Sequence, residues 1–263
     1  MFDIFDFLTY LNTHGKDTTY SKIIIFLLTR TEEIPALTIS EIADRCFVSP
    51  ATLTRFGRHF HFASFADLRD ALQQLNSLTP YSGLRMNEKD FQLLQKDPKA
   101  YLTSYSEEIT ASIQDVLGTI DIEEIDQLLH RIHTASEVVL IGYSATLELA
   151  KEVQTSFLSS RKILYIGETE QLQKDLIEHL DEQALIIVIS SYGTLLTKNP
   201  ALIRTISQSS ADSIFITQNT KNTLTNQFTQ TIRVTKENYV QIGSYPLTFF
   251  FDYFTRRYVS LYD

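Results

Sequence analysis

The chain has 263 residues, enough for one large domain or two ordinary ones, and its 43% hydrophobic residues can fill a core in either case. With 23 Lys and Arg against 32 Asp and Glu the net charge is −9, which excludes an overall basic nucleic-acid binder and leaves room only for a local one. The longest apolar runs, at 23–28 and 184–189, fall far short of the ~20 residues of a membrane helix. The acidic amino end lacks the basic region of a signal peptide and the single Cys46 makes no internal disulfide, so the expected compartment is the cytoplasm.

Up to residue 76, apolar residues recur at helical spacing, as in Phe5, Leu8 and Leu11 and in Leu68, Leu72 and Leu75. Residues 1–76 therefore read as an all-helical domain. Thr38 with Glu41 three positions on forms a capping pair, and Ile39, Ile42, Ala43 and Cys46 make one apolar stripe behind it. Phe47 and Val48 interrupt that helix; Ser49-Pro50 then supplies an N-cap and a first-turn proline for the next. In this second helix Ala51, Leu53, Phe56 and Phe60 cannot all share a face, while Thr52, Thr54, Arg55, Arg58 and His59 leave a side rich in hydrogen-bond donors. A third helix, capped by Ser64, carries Phe65, Leu68 and Leu72.

The segment 77–83 breaks both helical and strand periodicity, and 77–99 reads as a linker. From residue 100 to 263 the pattern changes. Helical stretches at 100–117 and 121–133 lead into short β-rich runs at 138–141, 163–166, 185–189, 214–217 and 231–235, most of them separated by helical segments. That alternation predicts a three-layer α/β domain with a five-stranded parallel sheet covered on both faces. In the final helix, 244–261, Phe249, Phe250, Phe251, Tyr253, Phe254 and Tyr258 exceed what one face needs, so some are expected to meet a second copy of the chain.

Two short helices joined by a tight turn, the second opening on small hydroxyl residues and carrying arginines, satisfy the geometry of a helix-turn-helix in the major groove. Between Ile39 and Arg69 four Arg face three acids, 4 − 3 = +1, which leaves −10 for the rest of the chain. The run from Thr38-Ile39-Ser40-Glu41-Ile42-Ala43 through Val48-Ser49-Pro50-Ala51-Thr52-Leu53-Thr54-Arg55-Phe56 to Phe65-Ala66-Asp67-Leu68-Arg69 resembles the DNA-binding domain of the RpiR family of bacterial transcription regulators. The resemblance covers about 75 residues and implies a wingless helical bundle that binds duplex operators as a dimer. It places Ser49, Pro50, Ala51, Thr52, Thr54 and Arg55 at the start of the recognition helix, with Arg58 on a phosphate; Thr38 and His59 join them as candidate DNA contacts. His59-Phe60-His61 departs from the family, which carries a basic residue and a Leu-Gly turn there.

In an open parallel sheet, ligands bind beyond the carboxyl ends of the strands where the strand order reverses. Two strand-end loops carry suitable chemistry: Gly142-Tyr143-Ser144-Ala145-Thr146 and Ser190-Ser191-Tyr192-Gly193-Thr194 combine glycine with hydroxyls and helix-start amides. They are neighbours if the order is 2-1-3-4-5, which the sequence does not reveal. From about residue 100 to the end the chain resembles the sugar isomerase (SIS) domain, the usual partner of the RpiR helix-turn-helix, and the resemblance implies a phosphorylated-sugar effector. The family loop Ser-x-Ser-Gly-x-Thr aligns with Ser190-Ser191-Tyr192-Gly193-Thr194-Leu195, so two of its hydroxyls are replaced, by Tyr192 and Leu195.

The resulting expectation is a sugar-responsive transcriptional regulator, a homodimer or higher homo-oligomer without cofactor, metal, membrane contact or enzymatic activity. A sugar-phosphate isomerase with an accessory helical domain, using Glu148, His179 or Glu237 as base, is the alternative, as is a SIS domain retained only for dimerisation. His130-x-x-His133 has metal-capable spacing but lacks companion ligands and reads as a solvated face. Glu123-Glu124, Glu168 and Glu170 read as surface charge, and Cys46 as a buried helix residue.

Overall fold

A computed structural model describes residues 4–76, 85–219, 221 and 224–263; the side chains at 4, 5, 74–76, 194, 198 and 224 lie outside the description. The break expected at 77–83 falls outside the described residues. The chain divides into two compact units, Met1–Asn87 and Glu88–Asp263.

The first unit is helical: α1 (Ile4–His14), α2 (Thr19–Thr29), a single 3-10 turn (Ile34–Ala36), α3 (Ile39–Arg45), α4 (Pro50–His59) and α5 (Phe65–Asn76). Its caps are the ones the side chains dictate. The Thr38 hydroxyl accepts Glu41 N–H at 3.3 Å while the Glu41 carboxylate accepts Thr38 N–H at 2.7 Å, a reciprocal capping box, and Ser49 Oγ accepts Thr52 N–H at 3.1 Å. Ser64 and Asp67 repeat the box at the start of α5. Phe7, Ile23, Ile24, Leu27, Ile42, Leu53, Phe56, Leu68 and Leu72 form the core, with the Phe7 ring edge-on to Phe60 at 4.7 Å.

The second unit begins with α6 (Glu88–Lys96), α7 (Pro98–Thr119) and α8 (Ile122–Thr134). The region 77–99, read as linker, thus holds a helix in its second half: Glu88 and Asp90 favour the amino-terminal dipole, and α6 packs on α7. There follow β1 (Val138–Ile141), α9 (Ala145–Ser159), β2 (Tyr165–Ile166), α10 (Glu170–Glu178), β3 (Leu185–Ser190), α11 (Thr194–Lys198), α12 (Pro200–Gln208), β4 (Asp212–Thr217), β5 (Gln230–Arg233) and α13 (Tyr245–Tyr262). All five strands are parallel, in the order β2-β1-β3-β4-β5.

Side-chain parity builds the three layers. Val138, Leu140, Leu185, Ile187, Ile189, Ile214, Ile216 and Ile232 point to one face, beneath α8, α9 and α13. Their neighbours Val139, Ile141, Ile186, Val188 and Phe215 point to the other, beneath α10, α11 and α12. β2 is shorter than the 163–166 pattern predicts. The turn after α9 places Arg161 at φ 60° and Lys162 Nζ donates to Ala135 O at 2.8 Å, so the chain reaches the sheet edge with only Tyr165 and Ile166 in register. The surplus aromatics of α13 are taken up within the chain. Phe250, Phe251, Phe254 and Tyr258 are buried, with Tyr258 stacked on Phe157 at 4.0 Å, and Phe249 and Tyr253 pack partly against the same core. They carry no argument for a partner.

Candidate functional site

Two surfaces deserve the name, one in each unit. In the first, α4 buries Leu53, Phe56 and Gly57, with Phe60 just beyond it, a stripe at spacings of three, four and seven. The same periodicity on the opposite side exposes Ala51, Thr54, Arg55 and Arg58, preceded by exposed Ser49 and Pro50. Ser49 Oγ meets Thr52 Oγ1 at 3.0 Å and Arg55 Nη2 donates to Thr52 Oγ1 at 3.2 Å, so a hydroxyl network orients the guanidinium at the amino-terminal half of the helix. Thr54 bonds back to Pro50 O at 3.0 Å. Thr38, although exposed, spends its side chain on the α3 cap. Arg45 is bound to Glu33, which also holds Arg30; those two arginines keep the Glu33 carboxyl below its usual range. His59 sits against Tyr10 and Tyr20, with ring centroids 5.7 and 5.3 Å away, which fixes it at the margin of the exposed stripe.

The departure at His61 has a structural answer. Phe62 N–H donates to Gly57 O at 2.9 Å and His61 N–H to Arg58 O at 3.1 Å, closing α4 with His61 at φ 62°. The turn that a glycine ordinarily makes is kept, with histidine in its place. Cys46 is buried, and desolvation pushes its thiol up to about 11, which leaves it a core residue.

In the second unit the strand order puts the ends of β1 and β3 side by side, with Ile141 in register with Val188. The β1 loop is tightly folded. A β-carbon on Gly142 would lie 2.7 Å from the Thr146 carbonyl carbon and oxygen, so only glycine fits. Ser144 takes φ 54° and makes no side-chain cap at the start of α9. The buried Thr146 hydroxyl accepts Tyr143 N–H and donates to Tyr143 O, both at 3.0 Å, so it is engaged inside the loop. On the β3 side Ser190 and Ser191 are buried, Ser191 Oγ meets Ser244 Oγ at 2.8 Å, and Gly193 at φ 72° turns the chain into α11. Thr194 opens that helix; its side chain lies outside the description. The Tyr192 hydroxyl reaches across to the stretch before α13, 2.6 Å from Gly243 O and 3.2 Å from Val240 O. Tyr192 therefore ties two loops together where the family pattern has a small hydroxyl.

Four participants were not anticipated. Gln173, 4% exposed, donates to Gly142 O and Gly167 O, both at 3.0 Å, and clips the β1 loop to the β2 loop. Thr217 donates to Ser190 O at 2.6 Å, Asn219 Nδ2 to Tyr192 O at 2.7 Å, and Gln218 Nε2 to Gly243 O at 2.8 Å. The buried Gln218 Oε1 has no partner among the described residues. The rule that ligands gather at strand carboxyl ends would have singled out Thr217, at the end of β4, and Gln218 and Asn219 just beyond it; nothing local marks Gln173.

The other sequence features are structural. His133 stacks on Tyr262 at 3.8 Å and its Nδ1 lies 3.0 Å from Tyr258 OH. Glu124 accepts Gln230 Nε2 at 2.9 Å, and Glu168 and Glu170 pair with Lys151 and Lys174. No helix among the described residues is long and apolar enough to cross a membrane.

Comparison with known proteins agrees with this division. Residues 6–78 match the helix-turn-helix domain of the rpiR family and residues 131–252 match the SIS domain. An uncharacterized HTH-type transcriptional regulator in the aarA 3′ region of Providencia stuartii is 22% identical over 193 residues, 70% of this chain; the match spans 63% of that relative's length. Among solved structures, the Vibrio vulnificus NanR protein complexed with ManNAc-6P is similar over 97% of this chain and 92% of that one, at TM-score 0.53 and 15% identity. The sugar isomerase domain of an RpiR transcription factor from Sphaerobacter thermophilus is similar over 61% of this chain and 90% of that one, at TM-score 0.50 and 12% identity.

Proposed function

We infer that this chain, a member of the RpiR family that joins an rpiR-type helix-turn-helix domain to a SIS domain, is a transcriptional regulator that holds duplex DNA with its first unit and senses a phosphorylated sugar or related anion with its second. The observation that carries the reading is the exposed donor-bearing stripe of α4, which begins at the Ser49-Pro50 cap and follows α3 across a tight turn, as the second helix of a helix-turn-helix does. Ser49, Pro50, Ala51, Thr52, Thr54 and Arg55 face base edges and nearby phosphates, Arg58 a phosphate, and Thr38 and His59 the border of the contact.

The effector site comprises Gly142, Tyr143, Ser144 and Thr146 of one loop and Ser190, Ser191, Tyr192, Gly193 and Thr194 of the other, joined by Gln218. The unpartnered Gln218 Oε1 supports it, because a buried acceptor costs about 1–3 kcal/mol until a hydroxyl reaches it. With Thr146 engaged in its loop and Tyr192 holding the 239–243 stretch, fewer hydroxyls face an anion than in a complete Ser-x-Ser-Gly-x-Thr loop. The ligand is correspondingly held more by loop amides and Ser190. Two half-sites require a homodimer, and the expected compartment is the cytoplasm.

Two of the three candidate bases favour a regulator over an isomerase: Glu148 pairs with Lys151 at 3.3 Å, and His179 lies at the end of α10 with its Nδ1 2.7 Å from Asp175 O. The test is a gel shift with the genomic fragment flanking the coding sequence, combined with calorimetric titration of hexose and pentose phosphates. Retarded DNA that one sugar phosphate releases or tightens is the expected result. No retardation at low salt overturns the DNA assignment, and no heat from any sugar leaves the SIS unit as a scaffold.

A further inference from the structure

The turn between α3 and α4 is built for a glycine and does not hold one. Val48 N–H donates to Ala43 O at 2.9 Å and Phe47 N–H to Asp44 O at 3.1 Å, the double closure that ends a helix on a left-handed residue. That residue is Phe47, at φ 56°, a conformation glycine adopts freely and a β-carbon resists. Its ring is 96% exposed, whereas no other large apolar side chain among the described residues exceeds 59%. A strained backbone and a hydrated aromatic ring both act against folding, and at 96% exposure packing against the described residues offsets neither.

We propose that Phe47 is a DNA contact, its ring seated on a thymine methyl at the edge of the groove that α4 enters. The proposal rests on the reading of α4 as a recognition helix and extends it by one residue outside that helix. Phe47 stands two positions before the Ser49 N-cap, and it, Ser49, Pro50 and Ala51 are all exposed, with the half-buried Val48 between. A phenyl ring has no donor or acceptor to match a base edge, so it reads the apolar feature of the major groove, the C5 methyl of thymine. It neutralises no phosphate and so adds nothing to the salt dependence of binding. A second copy of the chain is the rival occupant; the place of Phe47 in the turn that leads directly into the donor-bearing α4 favours DNA.

The test uses the full chain and duplexes that it enriches from a randomised pool. Phe47→Gly should bind the enriched duplex about tenfold more weakly with an unchanged salt slope, and Phe47→Leu should retain most of the affinity. Replacing thymine by deoxyuracil throughout the duplex should weaken the wild-type chain by a similar factor and leave Phe47→Gly unaffected. Phe47→Gly and Phe47→Asn, both easier on a left-handed backbone, should melt no lower than wild type, which separates lost contact from lost fold. Wild-type affinity in Phe47→Gly, or indifference of the wild-type chain to deoxyuracil, overturns the proposal. So does a change of mass for Phe47→Gly in light scattering, which would assign the ring to a second copy. If Arg55→Ala weakens binding while Phe47→Gly does not, only this proposal fails; if nothing is enriched, the DNA reading fails with it.

Discussion

Replacing Gln173 by leucine tests whether the effector loops are held by the clip described above. Gln173 is 4% exposed and its amide nitrogen donates to two carbonyls, Gly142 O and Gly167 O, each at 3.0 Å. Both glycines are buried, and a β-carbon on Gly167 would lie 2.4 Å from Gln173 N, so this part of the loop cannot retreat toward α10 to find another donor. Leucine keeps most of the apolar stem and removes only the donor. Two buried acceptors left unmatched cost about 1–3 kcal/mol each, and partial access of water brings the expected total to roughly 3 kcal/mol. At a urea m-value of about 2 kcal/mol per molar, the midpoint of the second unit should fall by about 1.5 M. The assay is urea unfolding followed by circular dichroism and tyrosine fluorescence, with sugar-phosphate titration of the folded variant. Because the clip fixes Gly142, whose loop contributes to the proposed site, effector affinity should fall along with stability. A midpoint within 0.3 M of wild type, roughly 0.6 kcal/mol at the same m-value, would refute the reasoning, since it would mean that neither carbonyl depends on the amide.

Other consequences are equally direct. Arg55→Ala should cost about 1–3 kcal/mol on a specific duplex and relax its sequence preference, whereas Arg58→Ala should weaken all duplexes alike and lower the salt slope by about one; gel shifts across a salt series separate the two. Asp115 accepts N–H from Glu237 at 2.9 Å and Lys236 at 3.0 Å, and although burial works against it, these bonds hold its carboxyl below the usual range. A depressed carboxyl contributes stability that is present above about pH 4 and is lost as pH falls through the folded-state value, so Asp115→Asn should lower stability at pH 7 and flatten the acid limb of a stability profile. The Cys46 thiol, pushed up to about 11, should resist iodoacetamide at pH 8 and react at the rate of unfolding of the first unit, as mass spectrometry would show.

Local chemistry determined much of this protein before any fold was known. Thr38, Glu41, Ser49, Pro50 and Ser64 set helix starts through contacts that span three residues, and such contacts are legible wherever the chain goes. The strand runs were legible for a related reason. Apolar residues on both parities, as in 185–189, mark a strand buried on both faces, and all of β3 is buried. What the sequence withheld is everything that depends on which distant segments meet. The order β2-β1-β3-β4-β5 decides that the loops after β1 and β3 are neighbours, and no local pattern encodes a strand order. Gln173 reads as one polar residue in a helix until the sheet brings Gly142 and Gly167 to it. Tyr192 reads as a lost hydroxyl until Gly243, 51 residues away, is found to accept from it. The aromatic surplus of α13 suggested a partner because a single helix has one buried face, yet Phe250, Phe251, Phe254 and Tyr258 are buried within their own chain, where α13 packs on α7, α8 and α9. Spacing along a sequence reports on contacts within a turn or a strand; burial and hydrogen-bond satisfaction are settled by residues tens of positions apart, and only the tertiary structure chooses those.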